Sequence, residues 1–455
     1  MRYIKLLAAG VAVLSLSACL DSDNDSPPFP ETVVTTGQVR VIHASADAPM
    51  VNITVNGTVF NNLTNIDYQV ASGLIEVNRG TYTLGVEAIT PAGNADVLSR
   101  IASVDTDMNY NVVALGSVAA GTLDMAIVPA SDPAVADDMV AVQILHGAPD
   151  VPMVDIYVTA PGTDLAAAQP LATASYLDST GLVEVASGDY QVRITLAGTQ
   201  TVAFDSGTVS LPGGENLFIT AVPSIVPGDA PVQLLVATTG ASFVINDTNT
   251  EAALRAIHAV ADAPVVDIIA NNALTLFDGA PFLGVTDYAN VDAGTYLVDI
   301  AADADNSAVV VDDTSITLEA GKFYTAIAHN DLANIAVDLP MDMPRRVATE
   351  AKVRIFHASP AAGAVDIYVT ATNDLTGASP AFTSVPFASP DLAETGYVSL
   401  APGDYVVTVT PTGTTDVALQ TGTLSLMGGM IYTALAVDGT GGAPVQLILA
   451  DDFVN

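Results

Sequence analysis

The chain has 455 residues, half of them apolar, with 50 acidic residues against 12 basic ones and a formal net charge of −38. Such an excess of negative charge repels phosphate backbones and excludes nucleic acid as a partner. The one cysteine, Cys19, excludes an intramolecular disulfide.

At the N-terminus, Arg2 and Lys5 precede an apolar run from Leu6 to Leu16 that is too short to span a bilayer and reads as a secretory signal. The run ends in Leu16-Ser17-Ala18-Cys19, which resembles the bacterial lipobox. That resemblance implies residues 1–18 as a signal peptide and a Cys19 that carries palmitate-type acyl chains as the first mature residue. Leu20 stands where an aspartate would mark inner-membrane retention, so the resemblance favours the outer membrane, with its periplasmic or surface face left open. Loss of Arg2 and Lys5 takes the charge from −38 to −40. Acyl chains contribute about 0.8 kcal/mol per buried CH2, so the lipid on Cys19 is the expected membrane contact. Residues 19–36 are polar, acidic and proline-bearing, as in a tether.

Beyond the tether one motif occurs four times, as VRVIHASADAPMVNITV from Val39, VQILHGAPDVPMVDIYV from Val142, LRAIHAVADAPVVDIIA from Leu254 and VRIFHASPAAGAVDIYV from Val353. The histidines His43, His146, His258 and His357 are 103, 112 and 99 residues apart, a period that fits complete small domains rather than solenoid units. Four repeats are expected, over 37–130, 139–240, 252–341 and 351–455. Within each, alternating or β-branched runs such as Tyr405-Val-Val-Thr-Val-Thr are separated by turn signals such as Asn56-Gly57 and Pro402-Gly403-Asp404. A glycine turn launches a strand whose second or third residue is tyrosine, at Gly80-Thr-Tyr82, Gly188-Asp-Tyr190, Gly294-Thr-Tyr296 and Gly403-Asp-Tyr405, as where a Greek-key tyrosine bridges back to nearby backbone. A third element pairs an aromatic with a small, apolar run at Tyr110, Phe218, Tyr324 and Tyr432.

Seven or eight strands per unit and no helix-length gaps predict an all-β chain of four tandem immunoglobulin-like antiparallel β-sandwich domains. A propeller would need each repeat to split into similar halves, and none does. The joints fall at Pro129 to Asp138, Thr238 to Ala252 and Met341 to Ala351, short enough to suggest a semi-extended rod unless domain contacts fold it back.

Alternation places Val39, Val41 and His43 on one strand face, with Arg40 and Ile42 on the other. A partly buried imidazole needs a partner for its N–H, and the side chain nine positions on offers one. The expected structural pins are therefore His43 with Asn52, His146 with Asp155, His258 with Asp267, and His357 with Asp366. No catalytic, cofactor-binding or metal-ligating set is expected: one histidine and one acid per domain fall short of zinc's ligands, and Ser45 and Ser359 give way to Ala148 and Val260 in the other copies. His329, outside the motif, is expected at the surface at a strand end. Calcium is the one weak cofactor candidate: Asp21, Asp23 and Asp25, then Asp105, Asp107 and Asn109, then Asp303, Asp305 and Ser307 space oxygens two apart without an EF-hand's glycine and glutamate.

The four motifs resemble the bacterial domain of unknown function 4397, over nearly all of residues 37–453. The resemblance implies tandem domains and assigns no activity. Repetition favours reach and avidity over catalysis, so the expected protein is a non-catalytic, lipid-anchored envelope protein whose loops meet a protein, glycan or surface layer. Two alternatives stand beside it: a calcium- or carbohydrate-binding module, with no tryptophan for sugar stacking but 14 tyrosines, and an exported hydrolase with a single active domain.

Overall fold

The computed structural model describes residues 35–131, 134–271, 273–440 and 445–452. Cys19, the signal, the Asp21–Asp25 reading and the tether up to residue 34 lie outside them, and Thr36, expected in the tether, opens the first strand. Contacts group Thr36–Asn455 into one compact unit.

Each repeat is a pair of sheets. In the first, one sheet has the order Ile75–Asn78, Thr36–His43, Met108–Leu115, Asp124–Ser131, and the other Thr58–Val59, Val51–Val55, Gly80–Ala88, Ala95–Val104. The same plan recurs from Met139, Ala252 and Ala351, so the described residues form four sandwiches. One strand, Ser242–Ile245, falls in a segment expected to be a joint, where it adds a fifth strand beside Val232–Ala237. The expectation of antiparallel sheets fails at one pair per repeat, because the strand bearing the histidine runs parallel to the strand after the long hairpin, with Val39 opposite Tyr110 and Val353 opposite Tyr432. The chain visits the second sheet between them, so no helical crossover is required.

Alternation fills each sandwich. Val39 and Val41 meet Val51, Ile53, Leu84 and Val86 in the first core. The glycine-turn tyrosines brace the strand entries as expected: the hydroxyls of Tyr82, Tyr190, Tyr296 and Tyr405 donate to the carbonyls of Asn78, Ala186, Asp292 and Ala401 at 2.8, 2.9, 2.7 and 2.8 Å. The third element needs one correction. Val142 lies opposite Leu217, not Phe218, so Leu217 matches Tyr110, Tyr324 and Tyr432, and Phe218 faces away from its own core. A slip of one residue in a strand reverses the face.

That outward face is buried all the same. Ile42, Val113 and Leu115 of the first repeat pack with Leu145, Phe218 and Leu235 of the second, and Ile257 and Ile327 of the third with Phe356, Leu435 and Ile448 of the fourth. Face-to-face pairing replaces the expected rod. The contacts cross reciprocally: Arg40 donates to Ala237 O at 2.8 Å and Gln143 to Pro129 O at 3.4 Å, while Arg255 pairs with Asp451 at 2.6 Å and Arg354 with Asp342. In each pair the first strand of one repeat reaches the closing strand of the other, the pattern of a two-fold interface. A further tie comes from the last joint, where Arg345 donates to Ala46 O at 2.9 Å, pairs with Asp67 at 2.6 Å and lies 5.3 Å from the Tyr68 ring.

The Arg354–Asp342 pair is 1% and 2% exposed, and Tyr288 and Thr325 also donate to that carboxylate, both at 2.6 Å. Arg354→Met strands a buried carboxylate and is expected to cost about 3–5 kcal/mol in urea unfolding. Arg100→Met breaks a pair whose side chains are 47% and 42% exposed, and is expected to cost at most about 1 kcal/mol. Equal losses would show that the pairing of repeats three and four does not depend on this ion pair.

Candidate functional site

The histidines end the first strand in three repeats and stand one residue before its end in the fourth, and they are 1 to 3% exposed. In each ring Nε2 faces the carbonyl six residues on, at Pro49 (3.0 Å), Pro152 (3.3 Å), Pro264 (3.1 Å) and Gly363 (2.6 Å), which makes Nε2 the protonated nitrogen. Nδ1 accepts from the backbone N–H two residues on in three copies: Ser45 and Val260 at 3.4 Å and Ser359 at 3.3 Å. His146 Nδ1 is buried without a partner. The imidazole is thus a clasp that closes the turn behind its own strand.

A second clasp comes from the loop that returns to the first sheet. Gln69, Leu177 and Leu283 donate their N–H to the carbonyls of His43, His146 and His258, each at 2.9 Å. All three have positive φ, at 64, 73 and 69°. A non-glycine residue there is held by its surroundings. The residue just before each is Tyr68, Tyr176 or Phe282, edge-on to the histidine ring at 6.2, 6.5 and 6.2 Å, while in the fourth repeat Phe387 takes that place at 6.4 Å. These aromatics were not singled out from the sequence. The available signal was an aromatic in every loop between third and fourth strands.

The expected histidine–acid pairs are not formed. Val51 and Ile53 point into the core, so Asn52 between them points out of the second sheet, and Asp155, Asp267 and Asp366 do the same. Their partners are loop groups on that outer side. Asp155 accepts from Thr173 Oγ1 at 2.5 Å and Gly198 N at 2.7 Å, and Asp366 from Ser384 N at 2.8 Å and Gly413 N at 2.9 Å. Asp267 accepts from Gly279 N at 2.8 Å. Asn52 accepts from Asn65 N at 3.1 Å but also donates to Glu87 at 2.8 Å, a role no aspartate can take. Histidine and acid are two separate loop clasps on two sheets.

His329 departs from its expected surface position. It is fully buried, its Nε2 faces Pro390 O of the fourth repeat at 2.8 Å, and its Nδ1 has no partner. Ala328 faces the home core and the next residue therefore faces the neighbouring repeat, as do Leu115 and Val437 at the matching positions.

Neither serine of the motif approaches its histidine through oxygen. Ser45 Oγ donates to Gly116 O at 2.9 Å, and Ser359 Oγ to Asp438. Among carboxylates, Asp303 of the third calcium candidate converges with Asp267 and Asp278, and Asp299 with Asp312 and Asp313, each set with oxygens within 4.8 Å. Asp305 instead holds Ser307 at 2.6 Å. Asp105 meets Arg79 at 3.5 Å.

Burial pushes the pKa of His43, His258, His329 and His357 below 6.5, against the pull of their carbonyl partners. The unfolded chain then binds protons that the folded one refuses, so the stability held by these neutral rings is full above 6.5 and is lost as pH falls below it. Melting temperature is expected to drop from about pH 7.5 to about pH 5, and His258→Gln to flatten the slope by up to about 1.4 kcal/mol per pH unit. An unchanged slope would mean that His258 titrates normally.

The comparisons with known proteins agree with the geometry in the repeat. The model of the family described as Domain of unknown function (DUF4397) matches residues 37–157, 142–248 and 252–368. No curated protein matches the chain. Among solved structures, the Bacillus anthracis TIE protein is similar at 11% identity over 90% of this chain and 69% of that one, with a TM-score of 0.16 that carries no argument. With its matched segments covering well over half of its length, the chain belongs to the DUF4397 family.

Proposed function

We propose that the chain is a non-catalytic, lipid-anchored cell-envelope protein that presents its four sandwiches for interaction with a protein, a glycan or a surface layer. One observation carries the reading: in all four repeats the histidine that marks the motif is spent on backbone of its own turn, so the repeated element holds loops in place rather than facing a substrate. The serine oxygens beside two of these histidines are spent on other acceptors, which weighs against the hydrolase alternative. The lipobox-like Leu16-Ser17-Ala18-Cys19 supports the anchor, and Leu20 supports the outer membrane. Among the described residues no helix is long and apolar enough to cross a membrane, which says nothing about strands. Tandem copies add avidity to weak contacts.

A calcium-binding reading is favoured by one specific observation, the convergence of Asp267, Asp278 and Asp303 from three strands or turns of the third repeat. Hard oxygen ligands suit calcium, and binding to the folded form alone raises its melting temperature.

Labelled palmitate is expected to enter the wild type and not Cys19→Ala, with the variant recovered in the soluble fraction; an unlabelled wild type ends the anchor reading. Millimolar calcium is expected to raise the melting temperature of the wild type by a few degrees and that of Asp303→Asn by less, and a flat response in both removes the calcium reading.

A further inference from the structure

Beyond Lys5 the chain has two lysines, Lys322 and Lys352, and both line a single cavity of about 470 Å³. Its walls come from all four repeats and from the joint at Asp342–Arg345. In so acidic a chain, a lysine without a carboxylate is unexpected. Yet every ion pair among the described residues uses an arginine, and neither lysine is in one.

Lys352 is 9% exposed and its Nζ donates to Arg345 O at 2.9 Å, which leaves most of its donor capacity unused. Burial, and then the neighbouring Arg345, lower its pKa against the pull of Glu350 and Asp67. Lys322 enters the same cavity from an exposed turn. The acids that share the walls are already engaged: Asp67 by Arg345, and Asp342 by Arg354, Tyr288 and Thr325. Arg345 is itself used up on Asp67 and the carbonyls of Ala46 and Ala48. Among the charged residues of the walls, the two lysines are therefore the ones left without an ion-pair partner.

A relay of amides adds a neutral donor. Gln69 Nε2 donates to Gln233 Oε1 at 2.7 Å, and Gln233 Nε2 to Asn246 Oδ1 at 2.6 Å. Because Asn246 Oδ1 is fixed as the acceptor, its Nδ2 ends the relay as a donor. It lies beside the turn that carries Lys322, within 3.3 Å of where a Cβ on Gly321 would stand. The remaining wall includes the apolar side chains of Ile225, Val226, Val244 and Phe323.

We propose that this four-repeat junction binds a small organic anion, a carboxylate or phosphate monoester on a short apolar body, with the anionic oxygens on Lys322 Nζ, Lys352 Nζ and Asn246 Nδ2 and the body against Ile225, Val226 and Val244. The size suits such a ligand, apolar walls with a few convergent polar groups are the usual make-up of a ligand site, and charge-assisted bonds to a carboxylate or phosphate answer the unpaired ammonium groups. The proposal rests on neither the anchor nor the histidine clasps.

Calorimetry on the full chain with hexyl phosphate, hexanoate, inorganic phosphate and hexylammonium tests it. Hexyl phosphate or hexanoate is expected to bind, inorganic phosphate more weakly, and hexylammonium not at all. Lys322→Gln, at an exposed residue, is expected to weaken binding at least about tenfold. Asn246→Asp keeps the oxygen that Gln233 needs and turns the donor into an anion, and is expected to abolish binding. Circular dichroism and unchanged melting would show both variants folded. The proposal is overturned if neither hexyl anion binds, if hexylammonium binds as well as they do, or if both folded variants bind like the wild type.

Discussion

The fold depends on one constraint: the first sheet of every repeat is buried on both faces. Ile42 and Leu145 have no exposed surface although each points away from its own sandwich. A sandwich with one wet face can stand alone, whereas these sheets leave apolar surface that another sheet must cover. The repeats therefore associate in pairs, and the polar residues caught between sheets must find partners there. Arg40 shows the strain of that arrangement. It is 1% exposed, it has a carbonyl partner and no bonded carboxylate, and desolvation lowers its pKa to about 10 despite Glu215. The third and fourth repeats meet the same demand with Arg255–Asp451 and Arg354–Asp342 instead.

Double burial also gives the histidine motif its sense. Where a strand ends between two packed faces, its last turn has little water to satisfy it, and a backbone group left unpaired costs more than a bond returns. A neutral imidazole serves as donor on one side and acceptor on the other, and it joins the N–H two residues on to the carbonyl six residues on. Aromatic edges from the returning loop close over it. Conservation of such a clasp across four copies marks a demand of architecture, and differences in function then reside where the copies differ.

The sequence disclosed the sandwiches because their inner faces obey strict alternation: Val39 and Val41 are placed on one face by period two alone, and the tyrosine braces are legible because a glycine turn and a tyrosine recur at fixed spacing. The pairing of repeats was missed although its signal was present. Runs such as Val232-Gln-Leu-Leu-Val are apolar on both faces, which is the mark of a strand covered twice. The short joints alone suggest a rod, and they carry no sign of which faces meet. The histidine–acid pair failed for a simpler reason. Nine residues separate the two across a turn, but the acid sits between two core residues, and period two alone turns it outward. The junction of the two lysines lay beyond reach, because Lys322, Lys352 and Asn246 meet only through the docking of repeats.

Where the cations go completes the account of the charge. Of the ten basic residues after Lys5, Arg40, Arg193, Arg255, Arg354 and Lys352 are buried and Arg345 is spent in the joint. Arg79, Arg100 and Arg346 remain outside, each beside an aspartate, and Lys322 is exposed at the mouth of the junction cavity. The exterior is thus almost purely acidic, and its self-repulsion acts across water where salt screens it. The inward cations act where screening is weak. A chain built this way holds its repeats together with the few positive charges it has while its acidic surface repels other anionic surfaces, and what sets Lys322 and Lys352 apart from Arg40 and Arg193, which also lack a carboxylate but are spent on carbonyls within the protein, is that the two lysines line one open cavity together.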